Sequence, residues 1–137
     1  MIEQRTTPAE TQLPAPLRVL VVDDNRDGAD TLAMILRIYG YAIRVAYDGM
    51  SALVVADEFQ PDVLVLDIGL PGLDGFSLAE RLRAMPAFTR TTMIALTAYR
   101  GEEYRHRSKQ AGFDHYLIKP AEIKQLRTLF QACRRSA

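Results

Sequence analysis

An α/β fold, one parallel sheet with helices on both of its faces, is what this sequence predicts. Three observations predict it. Short apolar, β-branched runs alternate five times with amphipathic helical stretches along the 137-residue chain, the pattern of strands joined by right-handed helical crossovers. The runs are nearly continuous apolar blocks, as strands covered on both faces are. They also end abruptly in polar groups, most sharply at Val63–Leu66, where Asp67 is followed by Gly69, Pro71, Gly72 and Gly75.

The elements follow in order. Met1–Pro16 carries Pro8, Pro14 and Pro16 with little to bury, and reads as a disordered lead-in before a domain over residues 17–135. A linker remnant or a docking tail is the other reading. Leu17–Val22 is the first strand. Asp23, Asp24 and Asn25 can cap the helix that follows, because their side-chain oxygens accept free backbone N–H groups. In that helix Ala29, Leu32, Ala33, Leu36 and Tyr39 recur at helical spacing, and Gly40 closes it. Tyr41–Ala46 is a second strand, broken only by Arg44, and Asp48-Gly49 a turn. Met50–Phe59 is a helix with Ala52, Leu53, Val55, Ala56 and Phe59 inward, ended by Pro61.

Val63–Leu66 is the third strand, with Asp67 at its carboxyl end. Gly75–Met85 is a helix with Phe76, Leu78, Ala79 and Leu82 inward, stopped by Pro86. Thr92–Thr97 is the fourth strand. Glu102–Ala111 is a polar helix that starts acidic and ends basic, as the helix dipole favours, with Gly112 as its stop. Asp114–Ile118 is a short fifth strand running into Lys119-Pro120, and Glu122–Arg134 the last helix, its stripe Ile123, Leu126, Leu129 and Phe130.

Length and composition fit one globular domain: 48% of residues are hydrophobic and 25% charged. The formal charge is zero but unevenly spread, with 8 basic and 13 acidic residues in 1–98 against 9 and 4 in 99–137. That division suggests an acidic site in one part and a basic face in the other. Cys133 is the one cysteine, so no intrachain disulfide forms. The first ten residues lack the apolar core of a signal peptide, and no apolar run has the length of a membrane span. A cytoplasmic protein is expected.

In a parallel sheet the carboxyl ends of all strands lie at one edge, where such sheets place their ligands. Asp23 and Asp24 end the first strand, Asp67 the third and Thr97 the fourth, while the fifth runs into Lys119. Each has a plain reading by itself: helix cap, turn start, strand end, solvated charge. Together they place three carboxylates, a hydroxyl and an ammonium at one edge. Three adjacent carboxylates repel, and a hard divalent cation such as Mg²⁺ relieves this with oxygen ligands. No His/Cys cluster invites zinc instead. A carboxylate beside Mg²⁺ and Lys⁺ is suited to act as nucleophile toward a phosphoryl group, whose oxygens the cations neutralise.

With these residues in place, the chain resembles the response-regulator receiver domains of two-component signalling, from about Leu17 to Arg134. The marks are Val-Val-Asp-Asp-Asn at 21–25, Leu-Asp-Ile-Gly-Leu-Pro-Gly-Leu-Asp-Gly at 66–75, Leu-Thr-Ala at 96–98 and Lys-Pro at 119–120. The resemblance implies a flavodoxin-like sheet of five strands in the order 2-1-3-4-5 with five helices. It implies Asp67 as phosphoacceptor for a phosphohistidine of a sensor kinase or phosphotransfer protein. Mg²⁺ would be held by Asp24 directly, Asp23 largely through water, Asp67 and the backbone carbonyl of Gly69. Lys119 would pair with a phosphoryl oxygen and its bond to Pro120 would be cis, Thr97 would turn its hydroxyl to the phosphoryl group, and Ala98 would offer its N–H. Tyr116 would be the aromatic that rotates inward when Thr97 moves. Two departures are Leu70, where many members have Met, and Ala121, where many have a large apolar residue. Asn25, Gly69 and Tyr99 occupy positions that the family varies to tune phosphoryl lifetime.

The resemblance also makes the fourth helix, fifth strand and fifth helix the moving face, about Glu102–Arg134. This is the basic part, with Arg105, Arg107, Lys109, Lys124, Arg127, Arg134 and Arg135. Glu102, Glu103 and Glu122 interrupt it and no helix-turn-helix follows, so a protein partner or a second copy of the chain is expected rather than nucleic acid. The chain reads as a stand-alone regulator, or else as a receiver from a hybrid histidine kinase. It is expected to catalyse only its own phosphorylation and dephosphorylation. The competing readings are an aspartyl-phosphate phosphatase, which wants a second Asp where Gly69 stands, and a binding module that does not use the charge cluster. A flavin-binding protein is a third, disfavoured because Asp23-Asp24-Asn25 would repel a phosphate.

Overall fold

The computed structural model describes residues 15–70 and 72–136, without the side chains of 134–136. The expectations for Met1–Pro14 and Pro71 and for the Arg134 and Arg135 side chains lie outside the described residues; Ala15 and Pro16 carry no regular structure.

Five strands, β1 (Arg18–Val22), β2 (Ala42–Ala46), β3 (Val63–Leu66), β4 (Thr92–Thr97) and β5 (His115–Ile118), form one parallel sheet in the order β2-β1-β3-β4-β5. The helices are α1 (Arg26–Ile38), α2 (Gly49–Phe59), α3 (Gly75–Arg83), α4 (Glu102–Ala111) and α5 (Ile123–Ser136), with a 3₁₀ turn at Pro86–Phe88. The order expected from the resemblance is the one observed.

The two faces of the sheet carry separate cores. On one, Val19, Val21, Val63, Val65 and Ile94 meet Ala33 and Leu36 of α1 and Leu126 and Phe130 of α5. On the other, Leu20, Leu64, Leu66 and Met93 meet Ala52 and Ala56 of α2, Leu78 and Leu82 of α3 and Ala111 of α4. Successive strand residues point to opposite faces, so a strand buried on both sides must be apolar throughout. All four residues of β3 are buried, each fully buried leucine contributing about 1.5–3 kcal/mol. The edge strands differ: β2 exposes Arg44, and all of β5 is half-buried.

Several boundaries depart from expectation for physical reasons. Leu17, Tyr41 and Asp114 flank their strands rather than belonging to them. Gly49 is the first residue of α2, not a turn residue. Asp48 caps that helix by accepting Ser51 N–H at 2.8 Å, and a Cβ on Gly49 would lie 2.5 Å from the Leu73 carbonyl oxygen. The end of α2 is set by Gln60 in a left-handed conformation (φ 51°), one residue before Pro61. α3 ends at Arg83 rather than Met85, and Pro86 opens the 3₁₀ turn, where its fixed φ fits. Arg83 holds this corner by donating to the carbonyls of Phe88, Thr89, Thr91 and Gly112 and to the Asp114 carboxylate.

Gly75 brings α3 against the loop that carries Asp67. A Cβ there would sit 2.4 Å from Ile68 Cα and 2.6 Å from the Asp67 carbonyl oxygen, both backbone atoms that cannot swing aside. Gly75→Ala is therefore expected to cost about 2–4 kcal/mol in denaturant unfolding, an overpacking penalty borne by the backbone. A loss below about 0.5 kcal/mol would show that the loop yields freely.

Candidate functional site

Each site residue stands at the end of a strand or one step beyond it, and ladder hydrogen bonds continue far enough to fix its backbone. Asp23 N–H donates to Ala46 O at 3.1 Å, Asp67 N–H to Val22 O at 2.9 Å and Lys119 N–H to Thr97 O at 2.8 Å. Val22 and Leu66 are register partners, so Asp23 and Asp67 emerge side by side.

Their carboxylates are organised by short-range donors. Asp23 Oδ1 accepts Asn25 N–H at 3.0 Å, while Asn25 itself caps α1 by accepting Gly28 N–H at 3.1 Å. Asp67 Oδ1 accepts Gly69 N–H at 2.9 Å. The remaining oxygens share one cation: Lys119 Nζ lies 2.6 Å from Asp23 Oδ2 and 3.3 Å from Asp67 Oδ2. The Lys119–Pro120 peptide bond is cis.

Asp23, Asp24 and Asp67 each offer an oxygen within 4.8 Å of the others, Asp23 buried, Asp67 half-buried and Asp24 exposed. An oxygen-only donor set of net negative charge, open to solvent through Asp24, fits a hard divalent cation that keeps part of its water. Burial raises the Asp67 pKa above the ordinary carboxylate value, and the Asp23 charge adds to this; the Gly69 N–H and Lys119 oppose it incompletely. Burial lowers Lys119, but its hydrogen bond to Asp23 and the charges of Asp67 and Asp23 outweigh that, so the ammonium is held above its usual range. Lys119 thus stays charged while Asp67 ionises at a cost.

Thr97 is buried at 1% exposure, and its Oγ1 accepts Tyr99 N–H at 3.2 Å; Ala98 is exposed beside it. Tyr116 is half-buried. Its hydroxyl donates to the Tyr99 carbonyl at 2.5 Å and Arg105 lies 5.0 Å over its ring. Sequence reasoning placed Tyr99 near the site but missed its contacts. Its ring stacks on Tyr104 at 5.1 Å and lies against Gly69, where an added Cβ would stand 3.1 Å from the Tyr99 hydroxyl. No spacing signal links those two loops.

The geometry matches known proteins. A family model described as the response regulator receiver domain covers residues 19–131. The chain belongs to the response-regulator receiver family. It is 40% identical over 117 residues to the transcriptional regulatory protein PrrA of Mycobacterium tuberculosis, covering 85% of this chain and 49% of that one. The chain therefore spans about half the length of that curated relative. The chemotaxis response regulator CheY4 of Vibrio cholerae superposes with a TM-score of 0.79 at 27% identity, over 86% of this chain and 98% of that one. The receiver domain of sensor histidine kinase PA1611 from Pseudomonas aeruginosa PAO1, a structure with a magnesium ion in its active-site cleft, superposes with a TM-score of 0.78 at 33% identity, over 86% and 97% of the two chains. This receiver is thus a domain of two-component signalling with an acidic cluster able to hold a metal ion. Among its described residues no helix is long and apolar enough to cross a membrane.

The raised pKa of Asp67 gives a pH prediction. Below the ordinary carboxylate pKa both folded and unfolded states are protonated and nothing is lost. As pH rises through the raised folded value, the ionised carboxylate destabilises the fold. In chelator at neutral pH, Asp67→Asn is expected to melt above the wild type, since Lys119 keeps Asp23, and the gap should close as pH falls toward the ordinary carboxylate range. A gap independent of pH would contradict the burial argument.

Proposed function

We propose that this receiver accepts a phosphoryl group from a phosphohistidine of a sensor kinase or phosphotransfer protein onto Asp67, and that the modified state alters its output face. The observation that carries this is Lys119 bridging Asp23 and Asp67 at 2.6 and 3.3 Å. A nucleophilic carboxylate oxygen and a fixed positive charge stand together where phosphoryl oxygens would lie.

An Asp67 oxygen attacks phosphorus, its new O–P bond forming as the N–P bond to the donor imidazole breaks and the imidazole leaves with the electron pair. Lys119 releases its hold on Asp67 and neutralises a phosphoryl oxygen, while Asp23 keeps the ammonium aimed. Thr97 turns its hydroxyl to another oxygen and the Ala98 N–H meets the third. Asp23, Asp24, Asp67 and the Gly69 carbonyl would hold Mg²⁺, which when bound offsets the repulsion among the carboxylates and the incoming phosphoryl group. The protein catalyses this transfer, and the later hydrolysis of its aspartyl phosphate in which water takes the phosphoryl group and Asp67 leaves as carboxylate, on itself alone.

The switch would run through one shared residue, Tyr99. Thr97 Oγ1 is held by Tyr99 N–H, and Tyr99 O holds the Tyr116 hydroxyl. Drawing Thr97 toward a phosphoryl group strains this chain of contacts and frees Tyr116 to turn inward, which changes the surface of α4, β5 and α5. The readout is a protein partner or a second copy, in the cytoplasm, rather than nucleic acid.

Native mass spectrometry with Mg²⁺ and acetyl phosphate tests the chemistry. One added phosphoryl group is expected on the wild type and none on Asp67→Ala, while Tyr116→Ala should gain the mass yet lose any phosphorylation-dependent association. Added mass on Asp67→Ala, or none on folded wild type even in rapid-quench sampling, would contradict the assignment. Unchanged association in Tyr116→Ala would remove Tyr116 from the switch.

A further inference from the structure

The sequence groups Arg105, Arg107, Lys109, Lys124 and Arg127 as one basic face, but the structure seats three of these guanidiniums on aromatic rings. Arg107 lies 4.3 Å over Phe76 on α3, Arg127 4.1 Å over Tyr39 beyond α1, and Arg105 5.0 Å over Tyr116. Phe76 is a core residue and Tyr39 follows α1, so neither ring belongs to the switch. Of the three, Arg105 sits on the ring that the switch would turn.

Four residues close a circuit here. The Tyr116 hydroxyl donates to the Tyr99 carbonyl, the Tyr99 ring stacks on Tyr104, Tyr104 precedes Arg105 on α4, and the Arg105 guanidinium returns to the Tyr116 ring. Gly101 opens α4 with no side-chain cap, and the buried residues of that helix, Ser108 and Ala111, lie in its second half, so its first turns rest on these aromatic contacts. Arg105 also meets Glu102, but at 3.8 Å and with the Glu102 side chain 93% exposed, a pair that solvent screens. A planar, weakly hydrated guanidinium suits the ring face better. Its charge is felt there: burial raises the Tyr116 hydroxyl pKa, and Arg105 opposes the rise.

We propose that Arg105 latches Tyr116 in its resting, outward position and so sets how readily phosphorylation of Asp67 throws the switch. The proposal rests on the reading of Tyr116 as the switch residue and adds the group that biases it. Staggered rotamers stand about 120° apart, so turning the ring inward carries it several ångströms. The hydroxyl bond to Tyr99 and the contact with Arg105 are then lost together. The guanidinium cannot follow, since burying it unpaired costs far more than an exposed cation–π contact returns. Arg105 therefore stabilises one of the two states only, and a ligand that binds the other state works against it. It is a positioning residue that acts through Tyr116.

The test titrates beryllofluoride, a phosphoryl substitute, into the full chain in Mg²⁺ and follows ¹⁵N amide spectra. Arg105→Gln should bind it about two- to fivefold more tightly than the wild type, the factor that corresponds to a cation–π contact at an exposed site. Removing a positive charge would by itself weaken binding of an anion, and so would damage to the fold, so tightening identifies the latch. Arg105→Lys, which returns a cation, should stand between. The gain should persist in a Tyr116→Phe background, which keeps the ring, and vanish in Tyr116→Leu, which keeps bulk without a π face. Unchanged or weaker binding by Arg105→Gln, or an equal gain in the Tyr116→Leu background, would overturn the proposal. If Tyr116→Phe shifts the affinity while Arg105→Gln does not, the switch stands and the latch falls. If neither Tyr116 variant shifts it, Tyr116 is no switch and the latch falls with it.

Discussion

One ammonium group holds the functional edge of this receiver together. Lys119 follows β5, yet its Nζ reaches past the end of β4 to carboxylates carried by β1 and β3. Three strands that are not neighbours in sequence are thereby tied at their carboxyl ends by charge. Neither carboxylate has a second cation among the described residues, so removing Lys119 would leave two partly buried negative charges facing one another. The same contact keeps Asp67 oriented and makes its ionisation only partly compensated. In the proposed reaction Asp67 would exchange this one cation contact for a phosphoryl group.

The fold serves this edge by being unyielding beneath it. β1, β3 and β4 are covered on both sides, and their last ladder bonds run into the site residues themselves. Gly75 and Gly49 allow backbone approaches that fasten the loop after β3 on its far side. The region beyond β4 is looser by comparison: Tyr99 is 46% exposed and joined to its surroundings by two hydrogen bonds and a ring stack. Motion confined to that side would carry a change at Thr97 toward α4 and β5 while Asp23 and Asp67 stay in register.

Much of this was legible in the sequence because the buried strands impose a strong pattern. Val63–Leu66 has no polar interruption, and a strand apolar on both faces can only be central. The polar residues that stop such runs are the site residues, so Asp23, Asp24, Asp67, Thr97 and Lys119 could be grouped before any coordinates. The strand order could not be read from spacing, since a crossover of given length can lead to either side of a strand; it came from the family resemblance. Gly49 and Pro86 were misplaced because their roles depend on Leu73 and on the turn after α3, which are contacts and not patterns. The apparent basic face dissolved for a similar reason: Phe76 and Tyr39 take up Arg107 and Arg127 in ways a linear charge count cannot register.

The central claim is that Asp67, among the three clustered carboxylates, carries the phosphoryl group. Borohydride reduction of the phosphorylated chain converts an aspartyl phosphate to homoserine, and peptide mass spectrometry then finds the position. The account predicts homoserine in place of Asp67 and unmodified Asp23 and Asp24 in the same sample. Homoserine at position 23, 24 or 74 with Asp67 intact would contradict it.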